Sequence, residues 1–353
     1  MTSLYLQLYN QLRGEILKGI YPYGCKLPSK RQICDDLGIS VITVEHAMDL
    51  LEEEGYIESR ERSGYYVSYK EGDSFSVAPF DQAYANDAAL TQTDIATCFP
   101  FGVYAKTIRR VLSERGNSIF TSSPNKGTLD LRRAISEYLA RNRNLYVTPE
   151  QIIIGSGAEY LYGMVVQILG RDLTYGIEKP SYEKIEQVYQ ASDVRCTLLA
   201  LGRDGILSSE LASTTADVLH ITPYRSYPSG ITANAAKRRE YIRWVSQGSG
   251  RYIVEDDFES EFTPSAKPQE TVFSLSDKGN VIYINTFSKT IAPSTRIGYM
   301  VLPKKLLSKY EKRAGFYSCA VPTFDQYVLA EFINSGDFER HINRVRRRHS
   351  RHN

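Results

Sequence analysis

The hydrophobic pattern of the first seventy residues predicts three short helices followed by a hairpin. Across residues 4–20 a leucine or isoleucine recurs every four positions, which predicts an amphipathic helix. Ser29 and Ser40 stand where N-terminal caps belong, and each is expected to begin a further helix. Two short segments come next, YIES at 56–59 and YYVS at 65–68, and they flank residues 60–64. This order predicts a helix-turn-helix that carries a β-hairpin wing.

Beyond residue 97 the pattern changes to helices that alternate with short apolar strands. The predicted strands cover 151–154, 173–177, 194–199, 218–222, 252–255, 281–284 and 297–302. Helices between most of them imply a mostly parallel, doubly wound α/β sheet, with ligands at the carboxyl ends of the strands. Residues 70–97 lack periodicity and predict a linker. We therefore expect a winged helix-turn-helix at 1–69 and an α/β domain at 98–353.

Composition narrows the class of protein further. The 353 residues suit two domains, and a charged fraction of 24% is ordinary for a soluble globular protein. No apolar run is long enough to cross a membrane, and the N-terminus lacks a signal-peptide pattern. The five cysteines form no CxxC pair and the five histidines no HExxH motif, so we expect reduced thiols in a cytoplasm and no metal.

Three candidate chemical groups follow predicted strands. Residues 155–159, GSGAE, end a strand and open a helix, whose free N–H groups suit a phosphate, although Gly-Ser-Gly alone is weak evidence. Tyr182 is placed either to stack on a cofactor ring or to fill the core. Asp256 ends another strand, where a carboxylate either pairs with a protonated pyridine nitrogen or caps a turn.

A fourth candidate is Lys289, which lies between the apolar runs at 281–284 and 297–302. A lysine between core strands is costly unless its charge is used or its pKa is lowered. One use is a Schiff base with pyridoxal phosphate (PLP), in which hydroxyls such as those of Thr286 and Ser288 and an arginine hold the phosphate. The alternative is an ordinary loop with a solvated lysine.

The N-terminal segment resembles the winged helix-turn-helix of GntR regulators along its whole length, most clearly in KLPSKRQ and EEEGYI…SGYYV. The resemblance implies contacts with double-stranded operator DNA. Lys30 and Arg31 would contact phosphates or base edges, Ser40 and Thr43 would form the tip of the recognition helix, and Gly64 would let the wing approach the minor groove. Residues 1–70 carry eight lysines and arginines against ten aspartates and glutamates, so a winged helix used only for protein contact is the alternative.

The second half resembles the fold-type I, aspartate-aminotransferase-like domain through NKGTLDLRRAISEYLARNRNLYVTPEQIIIGSG, EKPSY, TPYRSYPSG, VEDDFESEF and NTFSKTIAPSTRIGY, in this order. Fused to a GntR winged helix, such a domain makes a regulator of the MocR type. The resemblance implies that Lys289 forms the internal aldimine with PLP, that Asp256 holds the pyridine nitrogen and that Tyr182 stacks on the ring. The other implied cofactor contacts are Ala158, Glu159, Thr286, Ser288, Tyr227 and Arg296, the last as main partner of the phosphate.

The sequence departs from the family pattern at several places. Phe258 stands where the family commonly has a tyrosine, Glu159 replaces a frequent glutamine, and 224–226 replace the usual Ser-His-Gln. Residues 337–353 resemble the start of the helix that leads into the family's C-terminal small domain, so we expect a C-terminally truncated member. Its Arg/His-rich end is either an interrupted amphipathic helix or a nucleic-acid arm.

We therefore expect a PLP-dependent, DNA-binding transcriptional regulator. An amine or amino acid would form an external aldimine and shift the conformation of a homodimer that binds paired half-sites. One alternative is a working aminotransferase. Another is a DNA-binding regulator whose large domain has lost PLP and serves only for dimerisation.

Overall fold

The computed structural model describes residues 4–60, 63–69, 99–257, 260–262, 270–277, 279–292 and 294–352. The chain divides into two compact units, Met1–Leu90 and Thr91–Asn353. Each unit has hydrophobic clusters of its own. The predicted linker at 70–97 lies outside the described residues.

The first unit contains three helices and a hairpin, which are α1 Leu4–Leu17, α2 Lys30–Leu37, α3 Val41–Glu53, β1 Ile57–Arg60 and β2 Gly64–Val67. α1 packs on α3 because Leu8, Leu12 and Ile16 recur at helical spacing and are buried with the inner face of α3. The outer members of the predicted stripe, Leu4 and Ile20, are exposed.

Serine caps set the starts of both helices in the helix-turn-helix. The Ser29 hydroxyl oxygen accepts a hydrogen bond from the Gln32 backbone N–H at 3.2 Å, and Ser40 does the same for Thr43 at 3.2 Å. Gly38 ends α2 with a left-handed φ of 62°, which glycine adopts at little cost. The predicted order of helix, turn, helix and wing is confirmed.

A seven-stranded sheet forms the centre of the second unit, with strands β3 Ile152–Gly155, β4 Thr174–Lys179, β5 Arg195–Ala200, β6 Val218–Ile221, β7 Tyr252–Asp256, β8 Val281–Thr286 and β9 Gly298–Val301. The spatial order is β3-β9-β8-β7-β6-β4-β5. Strands β8, β7, β6, β4 and β5 pair in parallel, whereas β9 is antiparallel to both of its neighbours. The mostly parallel sheet is therefore confirmed.

The helices of this unit are α4 Phe101–Arg115, α5 Leu129–Arg143, α6 Ala158–Leu169, α7 Glu183–Ala191, α8 Ser208–Ser213, α9 Ala235–Gln247, α10 Leu307–Arg313, α11 Thr323–Asn334 and α12 Asp337–His352. They pack on both faces of the sheet. Ile152 and Ile154 of β3 belong to one buried cluster with α5 and α11, whereas Ile153 belongs to another with α6 and α7. Alternate residues of the strand thus face helices on opposite sides, and the unit has three layers, with the sheet between two layers of helices.

The central strands place the polar turn that follows β8. All six residues of β8 are buried, as expected for a parallel strand covered on both faces. Asp256 at the end of β7 is in register with Ile284, two residues before β8 ends. The turn containing Lys289 therefore begins at the same sheet edge as Asp256. Within the described part of the chain, no helix combines the length and apolar character needed to cross a bilayer.

Candidate functional site

The carboxyl ends of β7 and β8 and the first turn of α6 surround a cavity of about 360 Å3. Its lining residues are Ala158, Glu159, Tyr162, Tyr182, Ile185, Thr222, Tyr227, Asp256, Thr286, Ser288, Lys289 and Arg296. All nine residues that the sequence analysis connected with a cofactor are in this set. The structure thus brings them together, and what they bind stays a prediction.

Asp256 is a buried carboxylate with one oxygen held by the protein and one without a donor. Tyr162 donates its hydroxyl hydrogen to Oδ2, and His220 Nε2 lies 3.6 Å from the same oxygen. Oδ1 has no hydrogen-bond partner among the described residues. A buried carboxylate oxygen without a donor is costly, so it is suited to a protonated ring nitrogen of a ligand.

The partners of Asp256 are themselves fixed. Burial, followed by the charge of Asp256, raises the pKa of Tyr162 well above its usual value, so its hydroxyl stays a donor. His220 Nδ1 lies 2.7 Å from the Tyr189 hydroxyl, and the two rings meet edge to face. These contacts fix the orientation of the Asp256 carboxylate.

The neighbouring Asp257 has a different environment. It is fully buried and accepts hydrogen bonds from Arg143 and from the Tyr283 hydroxyl, the latter at 2.7 Å. Burial alone would lower the pKa of Arg143, but the charge of Asp257 raises it well above its usual value. Because adjacent residues of an extended chain point to opposite sides, Asp256 faces the cavity while Asp257 closes an internal ion pair.

The start of α6 and Arg296 make up a candidate anion site. Gly157, directly before the helix, has a φ of 99°, which favours glycine. A Cβ atom there would lie 2.9 Å from a guanidinium nitrogen of Arg296. The guanidinium therefore lies against the backbone at a helix N-terminus, where N–H groups lack helical partners. This combination is suited to a phosphate.

Glu159 lies at the same site and is held by two cations. Its carboxylate accepts hydrogen bonds from Lys184 Nζ at 2.9 Å and from the Arg296 guanidinium. Burial alone would raise the pKa of Glu159, but the hydrogen bonds from Lys184 and Arg296 outweigh it and lower the pKa. The carboxylate is therefore ionised at neutral pH.

Lys289 lies in the turn that follows β8, and its side chain is exposed. The polar turn predicted between the two strands carries this lysine out of the sheet to the cavity. The turn itself is fixed, since the Phe287 N–H donates to the Ile297 carbonyl at 2.9 Å and the Ser288 hydroxyl to the Thr295 carbonyl at 2.9 Å. A fixed turn presents the amine at the same sheet edge as Asp256.

Tyr182 and Tyr227 offer aromatic faces to the cavity. Tyr182 is 36% exposed and Tyr227 is 58% exposed, so neither ring fills the core. Their ring centroids are 6.3 Å apart in an edge-to-face arrangement. The core alternative for Tyr182 is therefore excluded, and its ring is available to a flat ligand.

Several residues of the site were not predicted from the sequence. Tyr162 follows Ala158 by one helical turn, so helical spacing was a usable signal for it. Thr222 follows the end of β6, which the rule for the carboxyl ends of strands also indicated. Ile185 and Lys184 gave no such signal, because their position depends on how α7 packs. Phe258, named for its departure from the family pattern, lies outside the described residues.

The candidate DNA-binding residues lie on the helix-turn-helix and its wing. Ser40 caps α3, and its hydroxyl lies 2.8 Å from that of Thr43, so the two pair at the tip of that helix. Lys30 Nζ donates to Glu45 at 2.7 Å and lies over the ring of Tyr65, and Arg31 is exposed.

Gly64 begins β2 at a φ of 104°, and a Cβ there would lie 3.3 Å from Lys26. Glycine thus allows a close approach between the wing and a basic side chain. The contact of each of these residues with DNA stays a prediction.

Two family models match the chain. Residues 4–67 match bacterial regulatory proteins of the gntR family, and residues 96–353 match aminotransferase class I and II. Among curated proteins, the chain is 31% identical over 98% of its length to the uncharacterized HTH-type transcriptional regulator YdeL of Bacillus subtilis, covering 76% of that protein.

Two other relatives carry more specific names. The probable rhizopine catabolism regulatory protein MocR of Rhizobium meliloti is 28% identical over 98% of this chain and 75% of its own length. The HTH-type pyridoxine biosynthesis transcriptional regulator PdxR of Corynebacterium glutamicum is 27% identical over 99% of this chain and 78% of its own length. Both relatives match along both parts of the chain.

Solved structures of similar fold include aminotransferases. Kynurenine aminotransferase of Pyrococcus horikoshii has a TM-score of 0.64 at 24% identity, over 71% of this chain and 64% of that chain. The α-aminoadipate aminotransferase LysN of Thermus thermophilus has a TM-score of 0.63 at 25% identity, with the same coverage. This chain thus spans less than two thirds of those enzymes. It belongs to the MocR type of transcriptional regulators, in which a GntR helix-turn-helix precedes an aminotransferase class I and II domain.

Proposed function

We propose that the large domain binds PLP in the cavity at Lys289, and that an amine or amino acid reacting there alters DNA binding by the winged helix. PLP supplies an aldehyde that reacts reversibly with primary amines and a ring that withdraws electrons when its nitrogen is protonated. The domain limits we assign are 1–69 for DNA binding and 98–353 for cofactor and effector, joined by 70–97.

The observation that carries this proposal is the unpartnered Oδ1 of Asp256 in a cavity that also contains Lys289 and Arg296. Asp256 would accept the hydrogen of the protonated ring nitrogen and keep it charged. Arg296 and the N–H groups at the start of α6 would hold the phosphate. The residues present therefore fit PLP at both its ring nitrogen and its phosphate.

The remaining lining residues would position the ring and the reacting amine. Tyr182 would stack on one face of the ring, with Tyr227 edge-on beside it. Thr286 would donate a hydroxyl hydrogen bond near the phosphate, and Ser288, whose hydroxyl donates to the Thr295 carbonyl, would line that end of the site. Lys289 would hold the cofactor until an incoming amine displaces its amino group.

Control of DNA binding requires that the effector bind two conformations with different affinity. We propose that a homodimer presents two winged helices to paired half-sites of an operator, so a change in their separation changes DNA affinity. The helix-turn-helix would read base edges through the exposed start of α3 and hold phosphates through Lys30 and Arg31.

The test is a DNA-binding titration under defined cofactor loading. A duplex selected from a random library by the wild-type protein is labelled, and its affinity is measured by fluorescence anisotropy without PLP, with PLP, and with PLP plus each amino acid of a panel. We expect PLP and at least one amine to change the affinity of the wild-type protein, and Lys289→Ala to respond to neither. Equal responses of both proteins would contradict the proposal.

A working aminotransferase is the second candidate, because the cavity holds a lysine, a carboxylate and an arginine together. This candidate predicts multiple turnovers of an amino acid and a keto acid into a new amino acid. Chromatographic detection of product in excess over protein would favour it. A regulator without catalytic turnover yields at most one equivalent.

A further inference from the structure

Lys184, Glu159 and Arg296 form two linked ion pairs at one side of the cavity. Glu159 lies between Lys184, at 2.9 Å, and the guanidinium of Arg296. Glu159 and Arg296 line the cavity, and Arg296 also lies against the start of α6 next to Gly157. The cationic group best placed to hold a phosphate is therefore already paired with an anion from the protein.

The three side chains together leave only one positive charge for a bound phosphate. Lys184 and Arg296 contribute two positive charges, and the Glu159 carboxylate cancels one of them. A bound phosphate would share Arg296 with a negative group within hydrogen-bond range, and like charges this close repel. The dipole of α6 stabilises Glu159 as well as any phosphate, because Glu159 is in the first turn of the helix.

We propose that Glu159 is a built-in competitor of the cofactor phosphate for Arg296, which makes cofactor binding weaker and more readily reversible. This inference rests on the proposed binding of PLP in the cavity. On binding, Arg296 exchanges the carboxylate for the phosphate, and Glu159 keeps its hydrogen bond from Lys184. The fraction of the protein that carries PLP then changes with the concentration of free PLP. PLP itself therefore contributes to the regulatory signal.

Glu159 would compete only with the phosphate of PLP, so a ligand without a phosphate should not be affected. Dissociation constants of PLP and of pyridoxal, which lacks the phosphate, are measured by visible absorbance for the full chain and for Glu159→Gln. Glutamine keeps a carbonyl acceptor for Lys184 and Arg296 and removes the charge. We expect PLP to bind Glu159→Gln about tenfold more tightly, as removing about 1.4 kcal/mol of repulsion would give, with pyridoxal unchanged.

Glu183→Gln is the matched control, because it removes the same charge from an exposed position at the start of α7. This control should leave both affinities at their wild-type values. Unchanged or weaker PLP binding by Glu159→Gln would overturn the inference, since it would mean that Glu159 is neutral or helps Arg296 to hold the phosphate. An equal gain for PLP and pyridoxal would also overturn it.

The same data separate this inference from the proposed function. If the wild-type protein binds PLP through Lys289 and Glu159→Gln shows no phosphate-specific gain, only the competition is wrong. If neither protein binds PLP at millimolar concentration, the proposed function fails and the inference fails with it. Binding of PLP by Glu159→Gln alone would support the competition.

Discussion

Asp256 and Asp257 are adjacent carboxylates in very different electrostatic environments. Each carboxylate has an Oδ1 without a hydrogen-bond partner among the described residues. Oδ2 of Asp257 accepts from a buried arginine and a tyrosine hydroxyl, whereas Asp256 lines the cavity. A buried ion pair resists the loss of one partner, because the remaining charge is left uncompensated. The unpartnered oxygen of Asp256 is the one that a ligand in the cavity can reach. Amide substitution should therefore act mainly on stability at Asp257 and mainly on ligand binding at Asp256.

Asp257→Asn should lower the free energy of unfolding by about 3–5 kcal/mol, because it leaves Arg143 buried without its charge partner. Asp256→Asn should change that free energy by less than about 1 kcal/mol, yet weaken PLP binding at least about tenfold by removing the ring-nitrogen acceptor. Urea denaturation and PLP titration of both variants check this. A stable Asp257→Asn or a tight-binding Asp256→Asn would contradict the assignment.

Two buried carboxyls predict a pH dependence of stability. Burial raises the pKa of Glu178 from 4.5 to about 8, against a smaller opposing effect of the hydrogen bond from Ser226. The folded protein thus binds a proton that the unfolded chain has released above about pH 4.5. Stability from this group is present at low pH and is lost as the pH rises through the folded value.

The free energy of unfolding should therefore fall by about 1 kcal/mol per pH unit between about pH 6 and pH 8 on account of Glu178. Glu178→Gln should remove this part of the slope. Part of the slope should remain, because burial also raises the pKa of Glu255 to about 8. Urea denaturation at three pH values measures it. Identical slopes for wild type and variant would show that Glu178 is ionised when folded.

At the scale of elements, the strand-to-helix junction at the start of α6 sets the geometry of the candidate anion site. Gly157 has a backbone conformation that disfavours side chains, and it admits the guanidinium of Arg296 at close range. Gly163 lies in the middle of the same helix, and a Cβ there would meet nothing within 4 Å. The same substitution at these two glycines should therefore have opposite effects.

Gly157→Ala should lower the free energy of unfolding by about 1–2 kcal/mol and weaken PLP binding, because it strains the junction and displaces Arg296. Gly163→Ala should leave PLP affinity unchanged and stabilise the protein by up to about 1 kcal/mol, since alanine favours the helix. Thermal denaturation and PLP titration compare the two. Equal effects of both substitutions would mean that Gly157 has no special role.

The sequence allowed the strands, the helix-turn-helix and the nine cavity residues to be predicted, because each depends on a local pattern or a motif. Helix α11 was missed, since buried residues surround most of it and leave no amphipathic stripe. The pairing of Glu159 with Arg296 joins residues 137 positions apart, so no local pattern indicates it. The exposure of Lys289 likewise depends on the path of a turn, which periodicity does not specify.

At the scale of the whole molecule, one unit is a helix-turn-helix with little net charge and the other contains the cavity at Lys289. Residues 1–70 have two more acidic than basic residues, so one copy attracts DNA phosphates weakly. Two copies in a homodimer would double the specific contacts at paired half-sites. The oligomeric state is thus a requirement of the proposed function.

Sedimentation of the full chain should therefore give a dimer, and the selected duplex should contain two related half-sites. Scrambling one half-site should weaken binding at least about tenfold, while scrambling the spacer should have a smaller effect. Fluorescence anisotropy with the three duplexes measures this. Equal affinity for the intact and the half-scrambled duplex would indicate that a single winged helix binds.

The central claim is that PLP reacts with Lys289. The most direct measurement is reduction of the PLP-loaded protein with borohydride, followed by proteolysis and mass spectrometry of the labelled peptide. The account predicts one phosphopyridoxyl group on Lys289, and no stoichiometric label in Lys289→Ala. Label spread over surface lysines such as Lys304 and Lys305, or no label at all, would contradict it and leave a DNA-binding regulator whose aminotransferase-like domain does not use PLP.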